Sequence, residues 1–299
     1  MNKPKKSLGQ RMWESRSGYL FILPKFILFS IFVAVPIVWS FAVSFQEYRI
    51  FDTLWVGFDN FQEAFQDPVF WRSLRNTGHY AIFVMPANVM IALVLASFIN
   101  PLRKRPQIFF RAAFYLPTVA STVVLAMVWR WIFQTRYGLF NYFLSLVGID
   151  PVNWLHSSAT AMWSVILMAI LTPPGVGLIL YLAAMASIPE TLYEAAVIDG
   201  ANAFTRWWRI TLPLLKPTTL YLMIVSTIGS FQVFDQVMLM TQGGPGYATT
   251  TIVHRIYTAA FRDFRFGYAG AMALVLFAII ISLALVQYKL VSSDVEYKG

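Results

Sequence analysis

Apolar and polar positions along this chain alternate in blocks of tens of residues, not with the short period of a surface helix or a half-buried strand. Six stretches are almost wholly apolar: 19 to 45, 77 to 99, 112 to 133, 160 to 186, 217 to 240 and 267 to 290. About 20 apolar residues in helical form cross the hydrocarbon core of a bilayer, so each stretch predicts a transmembrane helix. No fixed-period repeat or low-complexity segment interrupts them. Breakers fall inside several: Pro24 and Pro36 in the first, Pro86 in the second, Pro117 in the third, and Thr172-Pro173-Pro174-Gly175 midway along the fourth. A helix is broken at membrane depth only where neighbours or water satisfy the freed backbone groups, so the fourth-span break predicts a cavity wall.

Composition supports lipid as the solvent. The chain is 58% hydrophobic and 12% charged, against roughly 25% charged in soluble domains, which excludes an ordinary water-soluble globule. The absence of cysteine excludes disulfide frameworks, thiolate metal sites and cysteine nucleophiles. A net charge of +9 would suit nucleic acid if it formed one stripe, but the basic residues sit in short clusters between apolar runs and read as topology signals. Placing both termini on one side puts 14 Lys and Arg there and eight on the other, led by Lys3, Lys5, Lys6, Arg11 and Arg16 before span 1 and by Arg103, Lys104, Arg105 and Arg111 after span 2. The positive-inside rule makes that side cytoplasmic. Glu47, Asp52, Asp59, Glu63 and Asp67 then crowd the first outer loop. The first apolar run is too long for a cleaved signal core and is expected to be retained. The predicted organisation is a cytoplasmic segment 1–17, one transmembrane domain 18–290 and a cytoplasmic tail 291–299.

The connection between spans 4 and 5, residues 188–213, reads as helix, turn, helix. Pro189 suits a first helical position, Glu190 complements the positive helix end, and Ala195 and Ala196 favour continuation. Asp199-Gly200 supplies the stop, Asn202 a new N-cap, and Pro213 ends the second helix. Helices this short are marginal alone, so their apolar residues need the lipid interface or a partner surface. Glu194-Ala195-Ala196, Asp199-Gly200-Ala201, Ile210-Thr211-Leu212-Pro213 and Pro217 resemble the EAA loop of binding-protein-dependent ABC importer permeases. Thr241-Gln242-Gly243-Gly244-Pro245, Asn153-Trp154-Leu155, Phe234-Asp235 and the Gly138 to Asn141 turn narrow the resemblance to sugar permeases of the maltose and glycerol-phosphate type, first-partner kind, with the Gly-Gly-Pro outer loop. The likeness runs from about residue 19 onward. Leu171-Thr172-Pro173-Pro174-Gly175, where relatives usually carry a Trp, and Lys25 in span 1 depart from the pattern.

The resemblance implies an all-α integral membrane fold of six helices, the type I ABC importer permease fold, in a bacterial inner membrane. It implies transport without enzymatic chemistry: the chain has no Gly-x-x-x-x-Gly-Lys-[Ser/Thr] loop, so ATP and Mg would be bound by partner chains. Those partners would be a second homologous permease forming a heterodimer, two ATPase subunits and an extracytoplasmic substrate-binding protein. Tyr193, Glu194, Ala195, Ala196, Asp199, Gly200, Ala201, Phe204, Ile210 and Pro213 would dock the ATPase, with Glu194 the polar anchor.

For the substrate path, Ser226, Gly229, Ser230 and Val233 fall at i, i+3, i+4 and i+7, one face of a helix. Periodicity alone leaves helix packing and a cavity lining equally open, and the resemblance favours the lining of a sugar cavity. Ala169, Thr172, Pro173 and Val176 in the broken span would face it, with Phe231 a candidate stacking partner for a sugar ring. Gln232 and Asp235 lie toward the outer end of span 5; Asp235 is either part of the path, as an ionisable residue in a span suggests, or a support for the Gly243-Gly244-Pro245 loop. His79, His156 and His254 lack metal-ligand spacing and read as surface residues at the outer edge; no metal site is expected. An ion-coupled sugar carrier acting alone is the alternative, but such carriers usually show repeats and charged pairs within spans.

Overall fold

The computed structural model describes residues 16–48 and 53–292. Lys3, Lys5, Lys6 and Arg11, Arg49 and Asp52, and the tail from 293 lie outside the described residues. Among the described residues five helical spans are each long and apolar enough to cross a bilayer, and a sixth is formed by a bent pair. Helix α1 (Arg16–Ser44) widens into a π turn at Ser30–Ala34 just before Pro36; the wider turn accommodates a ring that clashes with the carbonyl four residues back. A short antiparallel hairpin follows, β1 (Gln46–Tyr48) with β2 (Thr53–Trp55), Gln46 opposite Trp55. The amphipathic α2 (Asp59–Gln66) leads into α3 (Pro68–Ile99), capped by the Asp67 carboxylate, which accepts from the Val69 N–H at 2.8 Å.

Helix α3 starts at Pro68, ahead of the position 77 that hydropathy suggests, because Asp67-Pro68 is a strong start signal and the amphipathic first turns bury Phe70, Ser73 and Thr77 against protein. It is the spine of the bundle and packs along the fourth and fifth spans and against the helix Ile252–Tyr257. Phe70 and Ala81 join one core cluster, Tyr80 and Val84 a second, and Val89, Ala92, Ala96 and Ile99 a third. Gly177 lies so close to α3 that a Cβ there would meet the Ala92 methyl at 3.0 Å; small residues at such crossings let membrane helices approach.

The third span is not the single helix 112–133 that its composition predicts. It is α4 (Lys104–Val119) and α5 (Thr122–Ile132), bent by 95° at Ala120 and Ser121. Pro117 weakens the preceding turn, and Ser121 caps the new helix through the Val123 N–H. The fourth span divides where the sequence predicts, into α7 (Ala161–Leu171) and α8 (Gly175–Ala186); between α5 and α7 lies α6 (Leu139–Leu146). The Asn141 amide ties two of the sequence motifs together, donating to the carbonyls of Thr135 and Val152 and accepting from the Trp154 indole at 2.9 Å.

Residues 188–213 form α9 (Glu190–Ile198), with Pro189 one position earlier than expected, as N-cap. Gly200 takes φ +75° at the turn, and the Ala201 N–H reaches back to the Ala196 carbonyl at 2.8 Å, closing the helix end as predicted. Asn202 caps α10, which begins at Ala203–Arg206, passes through a π turn at Trp207–Thr211 and runs on to Leu214. Pro213 therefore does not end the helix, because the π turn absorbs it. The fifth span, α11 (Lys216–Phe231), stops at Gln232 to Phe234 and resumes as α12 (Asp235–Met240). After α13 (Ile252–Tyr257) the last span is α14 (Phe266–Ser292).

At the hairpin end a polar lock joins three segments. The Asp67 carboxylate accepts from the Tyr268 hydroxyl at 2.7 Å and the Arg255 guanidinium at 3.1 Å, and Arg265 pairs with Glu63. Gly267 is obligatory here, since a Cβ would fall 1.8 Å from the Gln46 carbonyl. Burial pushes the Asp67 carboxyl up, but its hydrogen bonds from Tyr268, Val69 and Arg255 outweigh that and hold it below the ordinary carboxylate value. His254, expected at the surface, is buried instead; that burial, then the charge of Arg262, holds its imidazole below its ordinary value.

Both shifts have one sign. The unfolded chain binds the proton first, so stability is full above about pH 6.5, erodes below it as unfolded His254 is protonated, and erodes again below about pH 4 as Asp67 is neutralised. Thermal unfolding in detergent should show these two acid steps, and His254→Gln should remove the upper one. Asp67→Asn should destabilise at pH 7 by about 2 kcal/mol, read as a lowered midpoint.

Candidate functional site

The three helix breaks, at 120–121, 172–174 and 232–234, come together. Pro117, Ala120 and Thr122 from the third span, Ala169, Thr172, Pro173 and Pro174 from the fourth, and Ser226, Gly229 and Ser230 from the fifth line one cavity of about 370 Å³ against the Tyr80, Val84 and Asn88 face of α3. A second cavity of about 270 Å³ shares Tyr80, Thr122, Gly229 and Gln236 with it and adds Gln232, Val233, Phe234 and Asp235. The two form one crevice, whose mouth is marked by the exposed Gly229, Gln232 and Asp235.

The breaks also explain its polarity. An interrupted helix leaves carbonyls and N–H groups without intrahelical partners, and part of that demand is met locally. The Thr172 hydroxyl donates to the Met168 carbonyl at 2.8 Å, the Gly175 N–H to the Pro173 carbonyl at 2.9 Å, and the Thr251 hydroxyl to the Val233 carbonyl at 2.9 Å. Gly175 is needed for the close packing behind this wall, since a Cβ would lie 2.8 Å from the Phe114 carbonyl.

Of the predicted path residues, Ala169, Thr172, Pro173, Ser226, Gly229 and Ser230 share the larger cavity. The four-residue strip on span 5 is shortened, because α11 ends at Phe231 and the break turns Val233 into the core beside Tyr80 and Val165. Val233 touches the crevice only through its smaller lobe. Phe231 packs on the far side of α11 in the core with Ile252 and Tyr268 and lines neither lobe. Val176, the second residue of α8, is exposed and lies outside both. Tyr80, Asn88 and Gln236 line the crevice without having been singled out in the sequence. Tyr80, Val84 and Asn88 do stand at i, i+4 and i+8, a helical face, but an apolar span conceals which of its faces meets protein.

The loop 241–251 is fastened to the spine. Gly243 has φ +81°, and its carbonyl and that of Gly244 accept from the Thr250 and Thr249 hydroxyls at 2.9 and 2.8 Å. The Asn76 amide donates to the Tyr247 and Thr250 carbonyls, and the Ile252 N–H to the Thr77 hydroxyl. The Gly244–Pro245 peptide is cis. These bonds hold Gly243, Gly244 and Pro245 without the Asp235 carboxylate, which lies at the crevice mouth.

At the other end of the bundle α9 and α10 form a ledge. The Tyr193 and Thr211 hydroxyls are 2.8 Å apart and link its two helices, and the Trp207 indole donates to the Ser97 hydroxyl at 2.9 Å, fastening the ledge to α3. Its free face is apolar: Ile198 is 87% exposed, Phe204 70% and Trp208 57%. Glu194, Ala195, Asp199, Gly200 and Pro213 are exposed beside them, while Ala196, Ala201 and Ile210 are half-buried. A further cavity of about 620 Å³ lies at the hairpin end among Glu47, Asp59, Glu63, Asp263 and Arg265.

Residues 88–296 match the family described as binding-protein-dependent transport system inner membrane component. The chain is 33% identical to the arabinooligosaccharides transport system permease protein AraP of Bacillus subtilis, over 96% of this chain and 91% of that one. Its fold is similar to that of a bacterial ABC transporter involved in the import of the acidic polysaccharide alginate, with TM-score 0.86, 26% identity, and coverage of 97% of this chain and 100% of that one. A second crystal structure, of the alginate transporter in complex with an alginate pentasaccharide-bound periplasmic protein, matches with TM-score 0.84 and 26% identity over 95% and 96% of the two chains. The chain belongs to the binding-protein-dependent inner membrane component family and is a multi-pass ABC transporter permease of the type I fold.

Because the chain has no cysteine, single cysteines report the crevice directly. Cysteine at Gly229 or Gln232 should react with a water-soluble maleimide in membranes, and cysteine at Phe231 should react at least about tenfold more slowly, since thiol reactivity follows exposure. Equal rates at all three positions would contradict the placement of Phe231.

Proposed function

We propose that this chain forms half of the translocation pathway of an ATP-driven importer for a sugar or oligosaccharide delivered by an extracytoplasmic binding protein. The observation that carries this reading is the convergence of three helix breaks on one crevice whose lining mixes apolar residues with hydroxyl and amide groups. The names of its relatives point the same way: AraP is a permease for arabinooligosaccharides, and the alginate transporter imports a polysaccharide and is found in complex with a periplasmic protein. Sugars offer many hydroxyls and few charges, and Tyr80, Thr172, Ser226, Ser230 and Gln236 offer hydrogen bonds to match.

The ledge of α9 and α10 would receive a separate ATPase, with the 188–213 end and both termini in the cytoplasm and the hairpin end facing the binding protein. Exposed Ile198, Phe204 and Trp208 supply apolar contact area and Glu194 a charged anchor. ATP and Mg would reside in two ATPase subunits, and a second permease would complete the pathway. Tension on the ledge reaches the crevice by a short route, since α10 passes through the fully buried Leu215 directly into α11, whose far end is the break at 232–234.

Purification in mild detergent, with companions identified by mass spectrometry and ATPase activity measured with and without binding protein, tests the assignment. Recovery of an ATPase and a second permease is the expected result; a lone chain driving uptake from an ion gradient would overturn it. Glu194→Ala, or Gly200→Val, which forces a β-branched residue to φ +75°, should lower uptake at least about tenfold, as loss of a docking anchor does, while the protein still inserts. Wild-type uptake in both variants would remove the docking role of the loop.

A further inference from the structure

The structure assigns α6 (Leu139–Leu146) to the lipid interface: the helix lies in the headgroup boundary of the leaflet at the hairpin end and anchors the ends of the third and fourth spans there. This assignment rests on the membrane fold and not on what is transported. The stretch between Arg136 and Asp150 carries no charge, although it belongs to a connection between two spans. Within it Leu139, Tyr142, Phe143 and Leu146 stand at i, i+3, i+4 and i+7, one face of a helix, and all four are exposed, Phe143 to 53% and Leu146 to 65%. Val147 and Ile149 carry the exposed apolar surface past the helix end. The opposite face is occupied by protein. Phe140 packs with Trp129 and Phe133 at the end of α5, and the buried Asn141 amide holds Val152 and Trp154. An apolar face left in water costs free energy in proportion to its area, so this one calls for a cover.

The depth of the helix identifies that cover. Trp163, in the first turn of α7, packs edge-on against His79 and Phe83 of α3, with ring centroids 4.9 and 4.8 Å apart, and the apolar stretch of α3 begins at residue 77. The start of α7 is therefore level with the edge of the apolar zone. Helix α6 is fastened at the same level, because the Phe140 and Trp154 rings are 5.8 Å apart and both join the core cluster that holds Met162. Trp131, Tyr137, Tyr142 and Trp163 are exposed around it, and Trp and Tyr are the residues that membrane proteins place at headgroup depth. A water-soluble partner would find no charge on this face to steer or orient it. A helix lying in the plane of the interface needs none: its apolar side sinks about 5–10 Å into the acyl boundary, and its polar side stays up. Ser145, exposed and one turn on from Asn141, marks that polar side.

Fluorescence quenching in the complete importer tests the assignment, in vesicles of phosphatidylethanolamine and phosphatidylglycerol. A label is placed on a single cysteine, Phe143→Cys, Leu146→Cys or Ser145→Cys; the unsubstituted chain has no cysteine and gives the background from its companions. Two positions on the apolar face are used so that a variant that fails to assemble leaves the other. Labels at Phe143 and Leu146 should be quenched at least about twofold more by a lipid nitroxide just below the headgroup than by one at the acyl terminus or by aqueous iodide, as shallow burial requires. The label at Ser145 should be the most sensitive to iodide, and adding the binding protein should change none of these values. Strong iodide quenching at Phe143 and Leu146 would put the face in water. Shielding from lipid and iodide alike, with or without binding protein, would put it against protein, and strongest quenching from the acyl terminus would put it inside the hydrocarbon. Any of these three results overturns the interfacial anchor.

Discussion

Every backbone polar group at membrane depth must find a partner, and a lipid chain offers none. This requirement decides where the chain can be irregular. The three breaks in spans 3, 4 and 5 each free backbone groups, and each is tolerable because it opens onto the same water-accessible crevice. The hydroxyls of Thr172 and Thr251 meet part of the demand and polar space meets the rest. Helix α3 carries Pro86 without breaking and, packed on three core clusters, provides the fixed wall opposite the breaks.

The two ends of the bundle are built differently. At the hairpin end Asp67, Arg255, Tyr268, Glu63 and Arg265 tie three segments together, and the Thr249 and Thr250 hydroxyls with the Asn76 amide close the glycine loop onto α3. Of these, the bonds of Asp67 to Arg255 and Tyr268 are partly buried and charge-assisted, the stronger kind. At the ledge Tyr193 bonds Thr211 between its helices and Trp207 bonds Ser97 on α3, and a broad apolar face is left uncovered. A firmly held end and an exposed end are joined by α10 running into α11.

The site was legible where chemistry is local. Gly200, Asn202 and the Thr172 to Gly175 break act through their own backbone, so their roles at the turn, cap and break appear in the residue string. Ser226, Gly229 and Ser230 form a short strip within one regular helix and face the crevice as their spacing requires. Val233 lies past the end of α11, where helical spacing no longer holds, and reaches only the smaller lobe, whereas Phe231 lies inside α11 on the face turned to the core. Pro213 misleads in the opposite sense, because a π turn carries the helix past it.

The number of spans, their lipid environment, the helix–turn–helix connection and the family it resembles follow from the sequence alone, since hydropathy over 20 residues and turn chemistry over five are local quantities. The tertiary structure decided which face of each span meets protein. In a span that is apolar all round, periodicity carries no such information, so the wall of Tyr80, Val84 and Asn88 and the burial of His254 emerge only when neighbouring helices are in place. The 95° bend of the third span is likewise a tertiary outcome, because a Ser cap after Pro117 permits a break, and the open space beside Thr172 and Ser226 makes that break stable.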